Sequence, residues 1–327
     1  MLTLVIIVIV LALLFDLTNG IKDSSNIVAT MIMTRAFSPR VALGVTAVCE
    51  FSGPFIFGVA LAETIGRGIV DPQVIDTSVL VAALISAVVW NLLTWYWALP
   101  SSSSHALIGG LVGSVVIAAG WQSIQLSGLL KILLTLFTSP IIGFLIGFIV
   151  LRLILMVFWN ATPRINGLFK RSQLVTGVAL ALSHGANDAQ KTMGIITLAL
   201  VTGGYLESFE VPFWVIFACA AMIAIGTAIG GWGLIKTLGS KFFKIRPVDG
   251  FATQFASAAV ILGASLLGGP VSTTQVVSSS IMGVGAAERL NKVRWHVAQE
   301  IVMAWVLTIP ASALVGAGVY WLIHLFV

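Results

Sequence analysis

Long apolar runs separated by short polar stretches pattern this chain, and most runs approach the roughly 20 residues a helix needs to cross a bilayer. Residues 1–15 read as an apolar helix that stops at a polar stretch, 16–26, then resumes to Thr34, which predicts one crossing broken in its middle. Residues 41–62 make a span interrupted by Glu50 and Pro54. Residues 77–98 run into a serine-rich turn and continue as 106–119, and 128–158 form a long span. The second half repeats the scheme: a broken crossing at 173–203, a span at 212–235, two short segments within 251–287 and a last span to the C-terminus. The expected fold is an all-α polytopic membrane protein.

Composition sharpens this. The chain is 58% hydrophobic and 9% charged, against about 25% charged for an ordinary soluble domain, and its mean hydropathy is +1.07. The net charge of +5 sits mostly in short loops, where Lys and Arg orient helices rather than recruit nucleic acid. The first apolar run lacks a basic n-region and a small-residue cleavage site, so it reads as a retained helix. Cys49 and Cys219 lie within apolar segments with no metal spacing, which predicts structural, unbridged thiols.

Two polar motifs occur twice in the same order. In the first pair, Gly20 falls on Gly185, Asp23 on Asp188 and Asn26 on Lys191. In the second pair, Pro100-Ser101-Ser102-Ser103-Ser104-His105 falls on Pro270-Val271-Ser272-Thr273-Thr274-Gln275, and Gly113 on Gly283. The chain is therefore internally duplicated. Placing the basic loops 35–40, 159–172, 236–246 and 288–294 in the cytoplasm puts the acidic or neutral loops 63–76, 120–127 and 204–211 outside. Each half then crosses an odd number of times, which forces two inverted-topology repeats with broken helices and paired re-entrant hairpins. The expected division is 1–127 as the first repeat, 128–172 as a connecting span and basic cytoplasmic loop, and 173–327 as the second repeat.

The polar motifs carry the chemistry. An ionised carboxylate in hydrocarbon costs at least about 2.5–3.5 kcal/mol, so Asp23 and Asp188 require partners. Two readings fit: helix-packing ion pairs with Lys22 or Lys191, or a cation site, since carboxylate and amide oxygens suit a hard cation. The serine and threonine tips offer hydroxyls and free backbone N–H groups at helix N-termini, an arrangement that holds anions as well as caps helices. Ser102, Ser103 and Ser104 align with Ser272, Thr273 and Thr274, so matched donor sets could grip one tetrahedral oxyanion. Glu50 in mid-span reads either as a proton or cation carrier or as a hydrogen-bonded structural acid, and His105 and His184 as titrating or orienting groups. An enzyme is not indicated: Ser104-His105 is no triad, and neither a G-x-S-x-G elbow nor a Walker loop is present.

At these motifs the sequence resembles the inorganic phosphate transporter (PiT) family, whose signature is a GANDVAN-like motif in each half. The copies here are GIKDSSN at 20–26 and GANDAQK at 185–191; SHGANDAQKTMG (183–194), SSSSHALIGG (101–110) and PVSTTQVVSSSIMG (270–283) also look like bacterial members. The resemblance implies a cation-coupled phosphate symporter of the cell membrane, working by alternating access. Its only accessory would be the coupling cation, Na+ or H+, and a homo-oligomer is compatible with it. It places the cation at Asp23, Asn26, Asn187 and Asp188, with sodium on the two Asp carboxylates, and the anion on the hairpin Ser and Thr residues with Gln275. Family members carry an acid in the span after each motif; Glu50 matches, but the second half offers Cys219 and Ala220. Lys22 and Lys191 replace family Asn residues and would either stand in for a sodium ion or strengthen anion binding. A proton-coupled permease for sulfate or another oxyanion is the alternative, and a non-coupled channel or regulatory membrane protein a third reading.

Overall fold

The computed structural model describes residues 2–70, 75–240 and 242–326; Asp71 and Lys241, which the sequence assigns to the acidic and basic loops, lie outside them. Twelve α-helices are found among the described residues. The first six are α1 (Leu2–Met33), α2 (Pro39–Phe57), α3 (Ala60–Gly68), α4 (Thr77–Tyr96), α5 (Ser103–Ala119) and α6 (Leu126–Val157). The second six are α7 (Ile165–Thr202), α8 (Phe213–Ile229), α9 (Trp232–Ser240), α10 (Pro247–Leu266), α11 (Thr273–Glu288) and α12 (Trp295–Phe326).

The breaks fall elsewhere than the polarity pattern predicts. Helices α1 and α7 run unbroken through 16–26 and 183–191. Their polar residues are buried between helices, where neighbouring side chains or carbonyls of the same helix pair with most of their polar atoms. Ser24 and Ser25, for example, donate to the carbonyls of Ile21 and Lys22 at 2.8 and 2.9 Å. The backbone therefore has no reason to open. The chain bends instead in the next span of each half. Gly58 (φ 78°) separates α2 from α3, and Gly230 (φ 80°) separates α8 from α9, which meet at 75°. Left-handed backbone of this kind is tolerated by glycine, and Pro54 weakens the last turns of α2 by removing an amide donor.

Contacts between loops sort the two ends of the bundle. At one end, Val70 bridges Ile124 and Phe209 lies against Gly66, which gathers 63–70, 120–127 and 204–211. At the other end, the Arg294 amide donates to the Phe242 carbonyl at 3.2 Å, and Gln173 links Thr34 to the Pro247 carbonyl at 3.1 Å each, which gathers the basic loops. Helices α4 and α5 thus start and finish at the first end, and α10 and α11 at the second. The base of the second hairpin is clamped by Arg246 and Lys292 against Asp249 and Glu288, with Lys292 Nζ 3.1 Å from Asp249 and 2.6 Å from Glu288.

The packing of one half recurs in the other with partners exchanged: α1 lies on α8 as α7 lies on α2, and α5 lies on α12 as α11 lies on α6. Where α1 meets α8, a Cβ on Gly20 would strike the Ile223 carbonyl and one on Gly226 that of Leu17. Where α7 meets α2, Gly185 lies against the Glu50 backbone and Gly53 against the Leu182 carbonyl. These matched approaches set Gly53 on Gly226, and hence Glu50 on Ile223 rather than on Cys219 or Ala220. Gly113 against Ala313 and Gly283 against Phe144 repeat the motif where the hairpins meet α12 and α6. Each apolar core draws on both halves, while α6 and α12 turn Leu130, Leu134, Ile141, Leu307 and Leu314 outward, as lipid-facing helices do. Trp121 and Trp159 mark the two ends of α6, where interfacial aromatics sit.

A valine at Gly113 or Gly283 drives a side chain into a facing backbone, and overpacking of this kind costs about 1–3 kcal/mol. Gly318 on α12 has nothing within 4 Å of an added Cβ, so Gly318→Ala should be neutral or slightly stabilising. Melting in detergent should show Gly113→Val and Gly283→Val well below the parent and Gly318→Ala at or above it.

Candidate functional site

The tips of the two hairpins meet midway along α1 and α7, against their polar stretches. Ser102 and Ser272 act as plain N-caps: each hydroxyl accepts the amide of the third residue on, His105 at 3.1 Å and Gln275 at 3.4 Å. The next residues point at the acids. Ser103 donates to Asp23 Oδ2 at 3.4 Å, and its repeat counterpart Thr273 to Asp188 Oδ2 at 3.3 Å. The third residues reach across: Thr274 donates to Asp23 Oδ1 at 3.0 Å and accepts from Asn26 at 3.0 Å, while Ser104 accepts from Lys191 at 2.6 Å and donates to the Val271 carbonyl at 3.2 Å. His105 Nδ1 and Gln275 Nε2, also repeat counterparts, face each other at 3.2 Å.

Helical spacing explains why the acids arrive with their neighbours. Residues four and seven apart share a helix face, so α1 presents Asn19, Asp23 and Asn26 together and α7 presents His184, Asp188 and Lys191. Asn19 Nδ2 donates to Asp188 Oδ2 at 3.1 Å. His184 Nε2 lies 3.2 Å from Asp188 and 4.0 Å from Asp23, and its Nδ1 is 2.7 Å from Glu50. Thr227 of α8 donates to the other oxygen of Glu50. Asn187 holds the second tip in place, donating to the Val271 carbonyl at 3.1 Å and accepting the Val271 amide at 3.4 Å.

Every residue named at this centre is buried: Asp23 and Asp188 are 2% exposed and Ser103 4%. The cluster formally holds four carboxyl groups (Asp16, Asp23, Glu50, Asp188) against two ammonium groups (Lys22, Lys191) and two imidazoles, His105 and His184. It is acid-rich even with His184 charged. Ligand atoms of Asp23, His184 and Asp188 lie within 4.8 Å of one another. The side-chain oxygens of Asn19 and Asn26 are buried without a hydrogen-bond partner. Carboxylate and amide oxygens are the hard ligands that suit a cation such as sodium.

The structure brings Asp23, Asn26, Asn187, Asp188, Ser103, Ser104, Thr273, Thr274, Glu50, His184 and Lys191 into one centre. It sets Ser102 and Ser272 to capping and Gln275 to His105. Lys22 turns to the side, toward Asn91 at 3.1 Å and Ser101 at 3.3 Å. Sequence reasoning missed Asn19, Asp16 and Thr227. Asn19 was findable, because the repeat alignment that sets Asp23 on Asp188 also sets Asn19 on His184. Asp16, bonded to Thr192 at 2.5 Å, stood in the polar stretch of α1. Nothing in the sequence marked Thr227.

Comparison with known proteins agrees with this architecture. Residues 19–316 match the phosphate transporter family. A probable low-affinity inorganic phosphate transporter of Bacillus subtilis is 44% identical over 99% of this chain and 98% of its own, and one of Rhizobium meliloti is 45% identical over 96% and 94%. A solved structure titled the sodium-dependent phosphate transporter superposes with a TM-score of 0.92 at 26% identity, covering 99% of this chain and all of that one. These matches are to transporters and not to enzymes, and with the apolar spans they make the chain a multi-pass protein of the cell membrane. By the extent of the family match and the identity to its relatives, the chain belongs to the phosphate transporter family.

Proposed function

We propose that this protein carries inorganic phosphate across the cell membrane together with a cation, by alternating access. The observation that carries the coupling is the acid-rich centre under the hairpin tips. A phosphate ion approaching a buried centre with more carboxyl than ammonium groups is opposed in low dielectric unless a further cation offsets them. The hydroxyls that would bind the anion, those of Ser103, Thr273 and Thr274, are here bonded to Asp23 and Asp188. A cation taken by Asp23 with an amide oxygen beside it would replace the bonds from Ser103 and Thr274. It would release the hydroxyls, and the helix N-termini of α5 and α11 behind them, for phosphate. Each solute thus prepares the site for the other.

In this reading the halves are inverted repeats about an axis in the membrane plane, with hairpins entering from opposite faces. Helix α6 is the counterpart of α12, so the long span after the first hairpin belongs to the first repeat rather than to a connector. Access alternates as one hairpin and then the other draws back from the shared centre. The matched packing, the segregation of basic loops to one end and the likeness to a structure titled sodium-dependent support this arrangement.

Labelled phosphate uptake into proteoliposomes tests the proposal, with sodium or proton gradients imposed separately and sulfate as competitor. Accumulation driven by one gradient and resistant to sulfate is expected; equilibration without accumulation would leave a channel, and preferred accumulation of sulfate would overturn the substrate. Asp23→Asn and Asp188→Asn, shown to be inserted, should each lose about tenfold or more of gradient-driven uptake, the scale of stripping one partner from a buried charged cluster. Ser103→Ala and Thr273→Ala should each raise the KM for phosphate about tenfold, as expected for one hydrogen bond to a charged group, and leave the driving ion unchanged.

A further inference from the structure

The two halves of the centre are not chemically equivalent. Around Asp23, the helix face supplies two neutral amides, Asn19 and Asn26, each with an unpartnered buried oxygen. Around Asp188, the counterpart positions hold His184 and Lys191, groups that can themselves be cations. Lys191 Nζ lies 2.5 Å from Asp188 Oδ1, 2.6 Å from Ser104 Oγ and 2.9 Å from the Val271 carbonyl. These are a carboxylate, a hydroxyl and a backbone carbonyl, the ligand types that hold a hard cation. An ammonium has three protons to donate, and here each has an oxygen acceptor. No N–H is left over for an anion, which separates this lysine from an anion-binding role.

We propose that the ammonium of Lys191 is a built-in counter-ion occupying the cation position of the second repeat, so that only the Asn19–Asp23–Asn26 set takes a transported cation. This rests on the cation-coupled reading above and deepens it: Lys191 is the residue that sets how many cations travel with each phosphate. The half that would otherwise load a second ion carries its charge on the protein. That charge stays behind through the cycle and neutralises Asp188 in both the loaded and the empty carrier. Ser104 and Val271, both at hairpin tips, tie the ammonium to the elements that must move, so the fixed charge also couples Asp188 to the tips.

The repeat itself supplies the decisive variant, Lys191→Asn, which gives the second half the amide that the first half has at Asn26. Two readouts apply. In detergent, melting is compared in sodium chloride and choline chloride; Lys191→Asn should gain a sodium-dependent rise in melting temperature larger than that of the parent. In proteoliposomes, the ratio of cation to phosphate flux should rise by one ion per phosphate. No added sodium stabilisation, with an unchanged flux ratio and a raised KM for phosphate, would overturn the proposal and return Lys191 to the anion. Added stabilisation and flux both absent, with unchanged KM, would leave it a packing residue and equally overturn it. Lys191→Gln gives the same comparison if the shorter amide does not insert. Asp23→Asn in the parent background is a further check that alters neither Lys191 nor Asp188. It should abolish any sodium-dependent stabilisation, and persistence of that shift would show a free cation position beside Asp188. If the parent shows no coupling to any gradient, the transport reading itself fails; the melting comparison of Lys191→Asn still decides whether the ammonium fills a cation position.

Discussion

The structure depends on keeping carboxylates solvated by protein in a place that water and lipid cannot serve. Asp23 and Asp188 sit in the middle of long helices, and an unpartnered charge there would be excluded by its desolvation cost. Asp23 is held by a hydroxyl from each hairpin tip, and Asp188 by a tip hydroxyl, the Asn19 amide, the imidazole of His184 one turn away and the ammonium of Lys191. The hairpins must reach the centre of the bundle to deliver those hydroxyls. Glycine approaches between α1 and α8 and between α2 and α7 draw the surrounding helices close enough to exclude solvent. The polar centre and the tight packing are one constraint seen from two sides.

The same constraint bears on how, in the proposed function, an anion would be bound among acids. Hydroxyls are adaptable, serving as donors to carboxylate or to phosphate with little backbone change. On the proposed coupling, fixed carboxylates and movable tips would provide a site whose affinity for the anion is set by whether a cation is present. A centre built from lysines and arginines alone would bind phosphate without waiting for a cation and would release it poorly. Here, of the two buried lysines, Lys191 is held in direct contact with an acid of the centre, while Lys22 is turned toward Asn91 and Ser101.

The chain also shows how far a duplication can diverge while its packing persists. Gly20 and Gly185, Gly53 and Gly226, and Gly113 and Gly283 keep their roles as close-approach points. Between them, Asn19 has His184 as counterpart, Asn26 has Lys191 and Glu50 has Ile223. Backbone proximity tolerates no side chain, so the glycines stay. The polar positions are free to differ provided each half remains electrically satisfied, and Thr227 and His184 reach across to Glu50 from the opposite half.

Hydrophobic run length and the paired motifs were enough to determine an all-helical membrane protein, its duplication, the sorting of basic and acidic loops, and the residues Asp23, Asp188, Ser103, Ser104, Thr273 and Thr274. Those properties are carried by local composition and by repetition, both of which are written along the chain. The position of the helix breaks was not legible. Polarity at 16–26 and 183–191 signals a need for partners, and only the packed neighbours show that side chains meet that need without opening the backbone. Likewise Ser102 and Ser272 carry the same hydroxyls as their neighbours, and it is the direction each takes from the helix N-terminus that makes them caps while the next residues face the acids. The contacts of Lys191 with Ser104 and Val271 join residues far apart in the chain, and no spacing rule along one helix could have indicated that its three protons were already spoken for.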